Sequence, residues 1–179
     1  MKSYKLKSDF LSGAYTFTLQ PRETISDYSD AIVDLVLNER KLLLKAPPAA
    51  GKSFAIGRTI AEKLNAAGYK VLLIEPTNIL AKQLAYDIYL LPAVGENLSS
   101  DEIKKSIFAE PIIVTNYANA AAVCEELSQN KTPFIAFIDE CHELENGVNF
   151  KENHESDKLE TALNLHAEGI IYYSATPTP

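Results

Sequence analysis

Lys41-Leu42-Leu43-Leu44-Lys45-Ala46-Pro47-Pro48-Ala49-Ala50-Gly51-Lys52-Ser53 is a compact apolar run that breaks at two prolines and ends in Gly-Lys-Ser. Its first five residues predict a buried strand, and Ala46-Pro47-Pro48 predicts a loop at the strand's end. From Ser53 to Ala67 the pattern turns helical, with Ile56, Ile60 and Leu64 on one face and Gly68 as the stop. Strand, small-residue loop and helix in that order aim backbone N–H groups at an anion, and the helix dipole favours its charge. The segment therefore reads as a phosphate-binding loop. Lys52 would reach the β- and γ-phosphates and the Ser53 hydroxyl would ligate Mg²⁺, while Gly51 lets the backbone approach without a Cβ in the way. Ala46 stands where the strict motif has Gly, and Pro48-Ala49 stand where glycine is frequent. For this segment alone, a chance Gly-Lys-Ser between a strand and a helix is the alternative.

Outward from this stretch the same alternation repeats. Upstream, Ala14 to Leu19 alternates as a strand does, and Tyr28 to Asn38 carries Ile32, Leu35 and Val36 at helical spacing. Downstream, strands are predicted at Val71–Ile74, Ile112–Val114, Phe134–Ile138 and Ile170–Tyr173. Between them, Leu80, Leu84, Ile88 and Leu91 mark a helix, Ser99 or Ser100 caps another, and Ala118 to Leu127 forms a third. Residues 144–156 are polar and predict a loop, followed by a helix from Asp157 to His166. Strands apolar on both faces, alternating with amphipathic helices, predict an α/β fold: a parallel sheet between helices, in three layers.

The chain has 179 residues, 46% of them apolar, and a formal charge of −7. That length suits one domain able to bury about 70% of its unfolded surface without a disulfide or metal staple. No apolar run reaches the roughly 18–20 residues of a membrane span, and no secretory h-region follows the basic start, so no membrane association is expected. The two cysteines, Cys124 and Cys141, form no metal-type pair and read as reduced thiols in a cytoplasmic setting. The three histidines have no short ligand spacing, so no structural zinc is expected. Residues 1–75 carry 11 Lys and Arg against 8 acids, whereas residues 76–179 carry 6 against 16, with no arginine after Arg58. A strongly basic stripe is therefore absent, and any nucleic acid must be gripped locally or with help from elsewhere.

Phe134-Ile135-Ala136-Phe137-Ile138-Asp139-Glu140 is an apolar run ending in two carboxylates. Adjacent acids at the end of a buried strand are costly unless a positive charge meets them. A Mg²⁺–nucleotide supplies that charge: Asp139 would hold the metal, and Glu140 would orient and deprotonate the attacking water. Alone, the acids could equally mark a strand end emerging into solvent. Together with the phosphate loop, 87 residues earlier at Lys52, they point to a Mg²⁺-dependent nucleoside triphosphatase. The strands predicted between them suit the additional-strand ATPases.

Further segments give the pattern a family likeness. Asp139-Glu140-Cys141-His142 resembles motif II of superfamily 2 helicases of the DExH group, and Ala46 to Ser53 resembles their motif I. Ile74-Glu75-Pro76-Thr77-Asn78-Ile79-Leu80-Ala81-Lys82-Gln83 resembles motif Ia, and Thr115-Asn116-Tyr117 resembles a motif Ib region. Ser174-Ala175-Thr176-Pro177, 35 residues after Asp139, resembles motif III.

The resemblance implies a P-loop, RecA-like first lobe over residues 41–179, with residues 1–40 as an N-terminal extension packing on it. It implies ATP and Mg²⁺ held by Ala46, Pro47, Pro48, Ala49, Ala50, Gly51, Lys52 and Ser53, with Ser53 and Asp139 at the metal. Catalysis would fall to Glu140, Asp139, Lys52 and His142. His142, Ser174, Ala175 and Thr176 would couple nucleotide state to the nucleic-acid face. Pro76, Thr77, Asn78 and Thr115 would lie along the sugar-phosphate backbone of DNA or RNA, positioning a strand without reading its sequence. Asn78 stands where many relatives carry Arg. Gln20, 26 residues before Ala46, is either the family's adenine-recognising Gln or a surface residue of a turn.

Such motors close nucleotide and nucleic acid between two lobes, and the second, in cis or in trans, brings an arginine finger worth roughly 10³–10⁵ in rate. The chain alone is therefore expected to bind ATP–Mg²⁺ weakly, to hydrolyse it slowly and not to unwind a duplex. Two other readings stay open: a viral DNA-packaging-type ATPase, and a truncated, non-catalytic module that binds nucleic acid or a partner.

Overall fold

The computed structural model describes residues 7–9, 14–16, 22–45, 50–87, 100–139 and 153–174. Two short strands, β1 (Lys7–Asp9) and β2 (Ala14–Thr16), pair antiparallel. A 3₁₀ turn, Ile25–Tyr28, leads into α1 (Ser29–Glu39) and β3 (Lys41–Lys45). Helix α2 covers 52–66 as an α turn Lys52–Phe54, a wider π segment Ala55–Ile60 and a final α part Ala61–Ala66. Then follow β4 (Lys70–Glu75), α3 (Asn78–Asp87), α4 (Ser100–Ala109), β5 (Ile112–Asn116) and α5 (Tyr117–Gln129). The described chain closes with β6 (Phe134–Asp139), α6 (Asn153–His166) and β7 (Gly169–Ser174).

Strands β3 to β7 form one sheet in the order β3-β7-β6-β4-β5, with every pair parallel. Strand β7 thus lies between β3, which ends at Lys45, and β6, which ends at Asp139. Val71, Leu73, Ile135, Phe137 and Ile171 face α1, α2 and α3, meeting Ile32, Val36, Ile56, Ile60, Leu64 and Ala81. Leu72, Ile74, Ala136 and Ile138 face the other way, onto Ile107 of α4, Val123 and Leu127 of α5, and Leu159 and Leu163 of α6. Two-sided burial is why these strands read as continuous apolar runs rather than alternating ones. Each Val, Leu, Ile or Phe side chain so buried contributes about 1.5–3 kcal/mol. The α/β class and the three layers agree with the sequence reading.

Polar seams fix the edges of the sheet. Arg40, with φ 63°, ends α1, and its guanidinium donates to the carbonyls of Ala167 (2.9 Å) and Glu168 (3.3 Å) beside β7. Lys70 Nζ donates to the carbonyls of Ile107 and Glu110, each at 2.6 Å, closing the C-terminal end of α4. Burial pushes the Lys70 pKa down, and Glu110 partly opposes the shift. At the start of β7, a Cβ on Gly169 would stand 2.8 Å from Val36 Cγ2 and 3.0 Å from Ile135 Cδ1, so only glycine lets α1 sit this close.

Two elements depart from the sequence reading. Helix α6 begins at Asn153, inside the stretch read as a loop, because a turn polar on every side shows no periodicity to count. In α2 the Ala61 N–H donates to the carbonyl of Ile56, five residues back, and the i, i+4 spacing of Ile56, Ile60 and Leu64 gives no warning of that widened turn. Residues 17–19 of the predicted first strand and 88–91 of the predicted helix lie outside the described residues, as does Cys141.

Candidate active site at the carboxyl ends of the strands

Gly51 takes φ +75° immediately before α2. The nearest atom to a Cβ built there is Thr24 Cβ at 3.8 Å, so the backbone torsion, not lack of space, calls for glycine. Lys52 opens the helix, and Ser53 follows it on the exposed side. The chain before α1 steadies this junction. The Ile25 N–H donates to the carbonyl of Ala50 at 3.3 Å, and the Thr24 N–H donates to Asp27 Oδ2 at 2.8 Å in a capping box. Ala46, Pro47, Pro48 and Ala49 lie outside the described residues, and so does Gln20.

Asp139 is half-buried at the carboxyl end of β6 and is the register partner of Tyr173 on β7. The Tyr117 hydroxyl, at the start of α5, donates to the Asp139 backbone carbonyl and ties that strand end to the helix. Ser174 closes β7 opposite Lys45 of β3. Glu140, His142, Ala175 and Thr176 lie outside the described residues.

Beside β6, strand β4 ends in Glu75, a residue the sequence reading left without a role. It is 4% exposed, and its Oε1 accepts the Tyr173 hydroxyl at 3.0 Å. Burial drives the Tyr173 pKa well above its ordinary value, with the Glu75 and Asp139 carboxylates adding to the shift. The signal for Glu75 was available: a carboxylate ends the apolar run Val71–Ile74 just as Asp139 ends Phe134–Ile138.

Past Glu75 come half-buried Pro76, exposed Thr77 and then Asn78 at the head of α3. Thr77 Oγ1 accepts the Leu80 N–H at 3.3 Å, capping the helix. Asn78 Oδ1 accepts Asn116 Nδ2 at 2.7 Å, while Asn116 Oδ1 accepts the Asn119 N–H at 3.0 Å and caps α5. The 76–78 and 115–117 segments are thereby joined. Thr115 is fully buried within β5, so its side chain is not part of the exposed surface there.

These groups all gather at the carboxyl ends of one parallel sheet, the edge where open α/β folds form their ligand crevice. A helix N-terminus behind Gly51 suits a phosphate. The Ser53 hydroxyl and the Asp139 carboxylate are hard oxygen donors of the kind Mg²⁺ takes. The described residues thus fit a metal-bound nucleotide. Among them, no helix is long and apolar enough to cross a membrane.

Comparison with known proteins agrees with this geometry. Residues 26–179 match the family model described as DEAD/DEAH box helicase. Among solved structures, two of the bacteriophage T4 helicase UvsW resemble the chain, at 23% and 24% identity and TM-scores of 0.56 and 0.55. Each match covers 83% of this chain, and 29% and 51% of the UvsW chains respectively. The ATP-dependent Type ISP restriction-modification enzyme LlaBIII, solved bound to DNA, matches at 15% identity and TM-score 0.57 over 94% of this chain and 14% of its own. This chain therefore spans only part of each of these structures. No curated protein matches it by sequence.

Proposed function

The chain belongs to the DEAD/DEAH box helicase family, and from that premise we propose that it is the ATP-binding first lobe of a superfamily 2 helicase or translocase of the DExH group. The observation that carries this reading is the left-handed Gly51 leading Lys52 and Ser53 into α2, on the same sheet edge as Asp139. Backbone amides at 50–53 and Lys52 hold the triphosphate, and Ala46 to Ala49 complete the loop. Ser53 and Asp139 hold Mg²⁺, which neutralises charge on the phosphates when bound. Glu140 orients the attacking water and takes its proton. His142, Ser174, Ala175 and Thr176 relay nucleotide state, and Gln20 is a candidate for the adenine. Residues 41–179 are the lobe proper, with 1–40 as its extension.

DNA or RNA passes over Pro76, Thr77 and Asn78, which contact its backbone and do not read sequence. Buried Thr115 supports that surface from beneath. Completion of the motor requires a second lobe, in cis or in trans, that contributes an arginine finger. The test is ATP turnover with and without single-stranded DNA or RNA, for this chain alone and joined to a second lobe. Stimulated turnover is expected only with the second lobe, and Glu140→Gln should remove it. No stimulation in the two-lobed protein overturns the motor reading. Rapid turnover by the single lobe, lost in Glu140→Gln, overturns the need for a partner.

A further inference from the structure

Glu75 and Tyr173 are 4% and 3% exposed, and the phenol donates to the carboxylate at 3.0 Å. The strands whose carboxyl ends carry them are not neighbours, since β6 runs between β4 and β7. The bond therefore bridges the carboxyl end of the strand that carries Asp139. The residues just beyond Glu75 are Pro76, Thr77 and Asn78, and those just beyond Tyr173 are Ser174, Ala175 and Thr176. A single hydrogen bond straps together the roots of two segments that follow different strands.

Stability does not explain this pair. Leu73, Phe137 and Ile171 make the layer beneath it apolar, and a buried carboxylate there is costly. A well-packed apolar pair in place of a buried polar one is commonly neutral or more stable. A phenol carries its proton at neutral pH, so Tyr173 is the donor of this bond. At 3.0 Å this O–H···O bond already lies at the long end of its range, so it has little slack before it is lost. A shift of β7's end by an ångström must drag Glu75 with it or break the contact.

We propose that the Glu75–Tyr173 hydrogen bond is a positioning link that carries nucleotide state from the 174–176 segment to the 76–78 segment, over the strand bearing Asp139. The link rests on the function proposed above, in which the first segment senses the nucleotide and the second meets nucleic acid. Neither residue touches the reacting atoms. Glu75→Gln keeps an acceptor oxygen for the phenol and preserves the link. Glu75→Val with Tyr173→Phe removes both polar groups together. Tyr173→Phe alone would leave the buried carboxylate short of a donor and confound the result with lost stability.

Hydrogen exchange over residues 76–80, with and without saturating ATP–Mg²⁺, tests the link, and the ATP-induced rise in Tm reports binding independently. ATP should slow exchange there roughly threefold or more in the parent and in Glu75→Gln. In the double variant the slowing should vanish while the rise in Tm with ATP stays at the parent's value. A merely structural pair would instead change the Tm without ATP and leave the slowing intact. If the double variant keeps the slowing, or a parent that binds ATP shows none, the link is refuted. If ATP raises the Tm of no version, the nucleotide reading itself falls, and the link falls with it.

Discussion

Asn116 Nδ2 lies 2.7 Å from Asn78 Oδ1, so the residue that caps α5 also holds the first residue of α3. One amide serves two helices, its oxygen closing one N-terminus and its nitrogen steering the other. Asn116→Ala should therefore lose about 1–2 kcal/mol, the scale of a lost N-cap, read as a shift in the urea midpoint at unchanged slope. Asn116→Asp restores the cap's acceptor but sets a carboxylate oxygen against Asn78 Oδ1, so it should recover only part of that loss.

Lys52 sits in the first turn of α2 and is half-buried. Lys52→Ala should leave the melting temperature without ligand close to the parent's and abolish the rise with ATP, measured by thermal shift. An equal ATP response in the variant would remove Lys52 from the phosphate site.

Gly51→Ala forces an L side chain into φ +75°, with Thr24 Cβ only in ordinary contact at 3.8 Å. The cost is torsional, about 1–2 kcal/mol. It should appear as a lower midpoint in urea and a smaller ATP-dependent stabilisation, since relaxing the strain turns the loop's amides away from the phosphates.

Gly169→Ala fails for the opposite reason. Its added methyl meets Val36 Cγ2 at 2.8 Å and Ile135 Cδ1 at 3.0 Å, wedging α1 from the sheet. Overpacking of this kind costs about 1–3 kcal/mol. The loss should be visible in calorimetry whether or not ATP is present.

Cys124 is buried in α5, and that burial, with help from Glu125, pushes its thiol from 9.0 up to about 12. A folded pKa above the unfolded one gives stability that is fully present below pH 9.0 and fades as pH rises toward about 12. Between those values the parent should lose more stability than Cys124→Ala does. In a Cys141→Ser background, alkylation at pH 8 should proceed at the rate of opening and rise with added urea.

Much of this architecture was legible because two-sided burial leaves a plain mark. Val71–Ile74 and Phe134–Ile138 read as strands for the same reason they are buried on both faces. Sheet order left no such mark, since nothing in local periodicity says that Gly169–Ser174 inserts beside Lys41–Lys45. Gly51 and Lys52 could be singled out as candidates because phosphate chemistry restricts which residues serve at a strand-to-helix turn. The burial of Thr115 could not, because a threonine at a strand's end reads the same inside or out. Glu75 was missed although its pattern matched that of Asp139; its partner, Tyr173, lies 98 residues away in sequence.

The position of β7 also governs how such a molecule comes into being. Within the described sheet, β3 pairs with β7 alone, Lys41 lying opposite Ile170. On the ribosome, β3 emerges long before its partner exists. Strand β6 likewise waits with one side open until β7 slots between the two. Unpaired edges of this kind recruit strands from other chains, and pairings so distant in sequence form slowly. A nascent chain halted before Gly169 would expose both edges at once. Of the described strands of this sheet, the last in chain order is the keystone, and the edge that carries Gly51 and Asp139 is incomplete until it pairs.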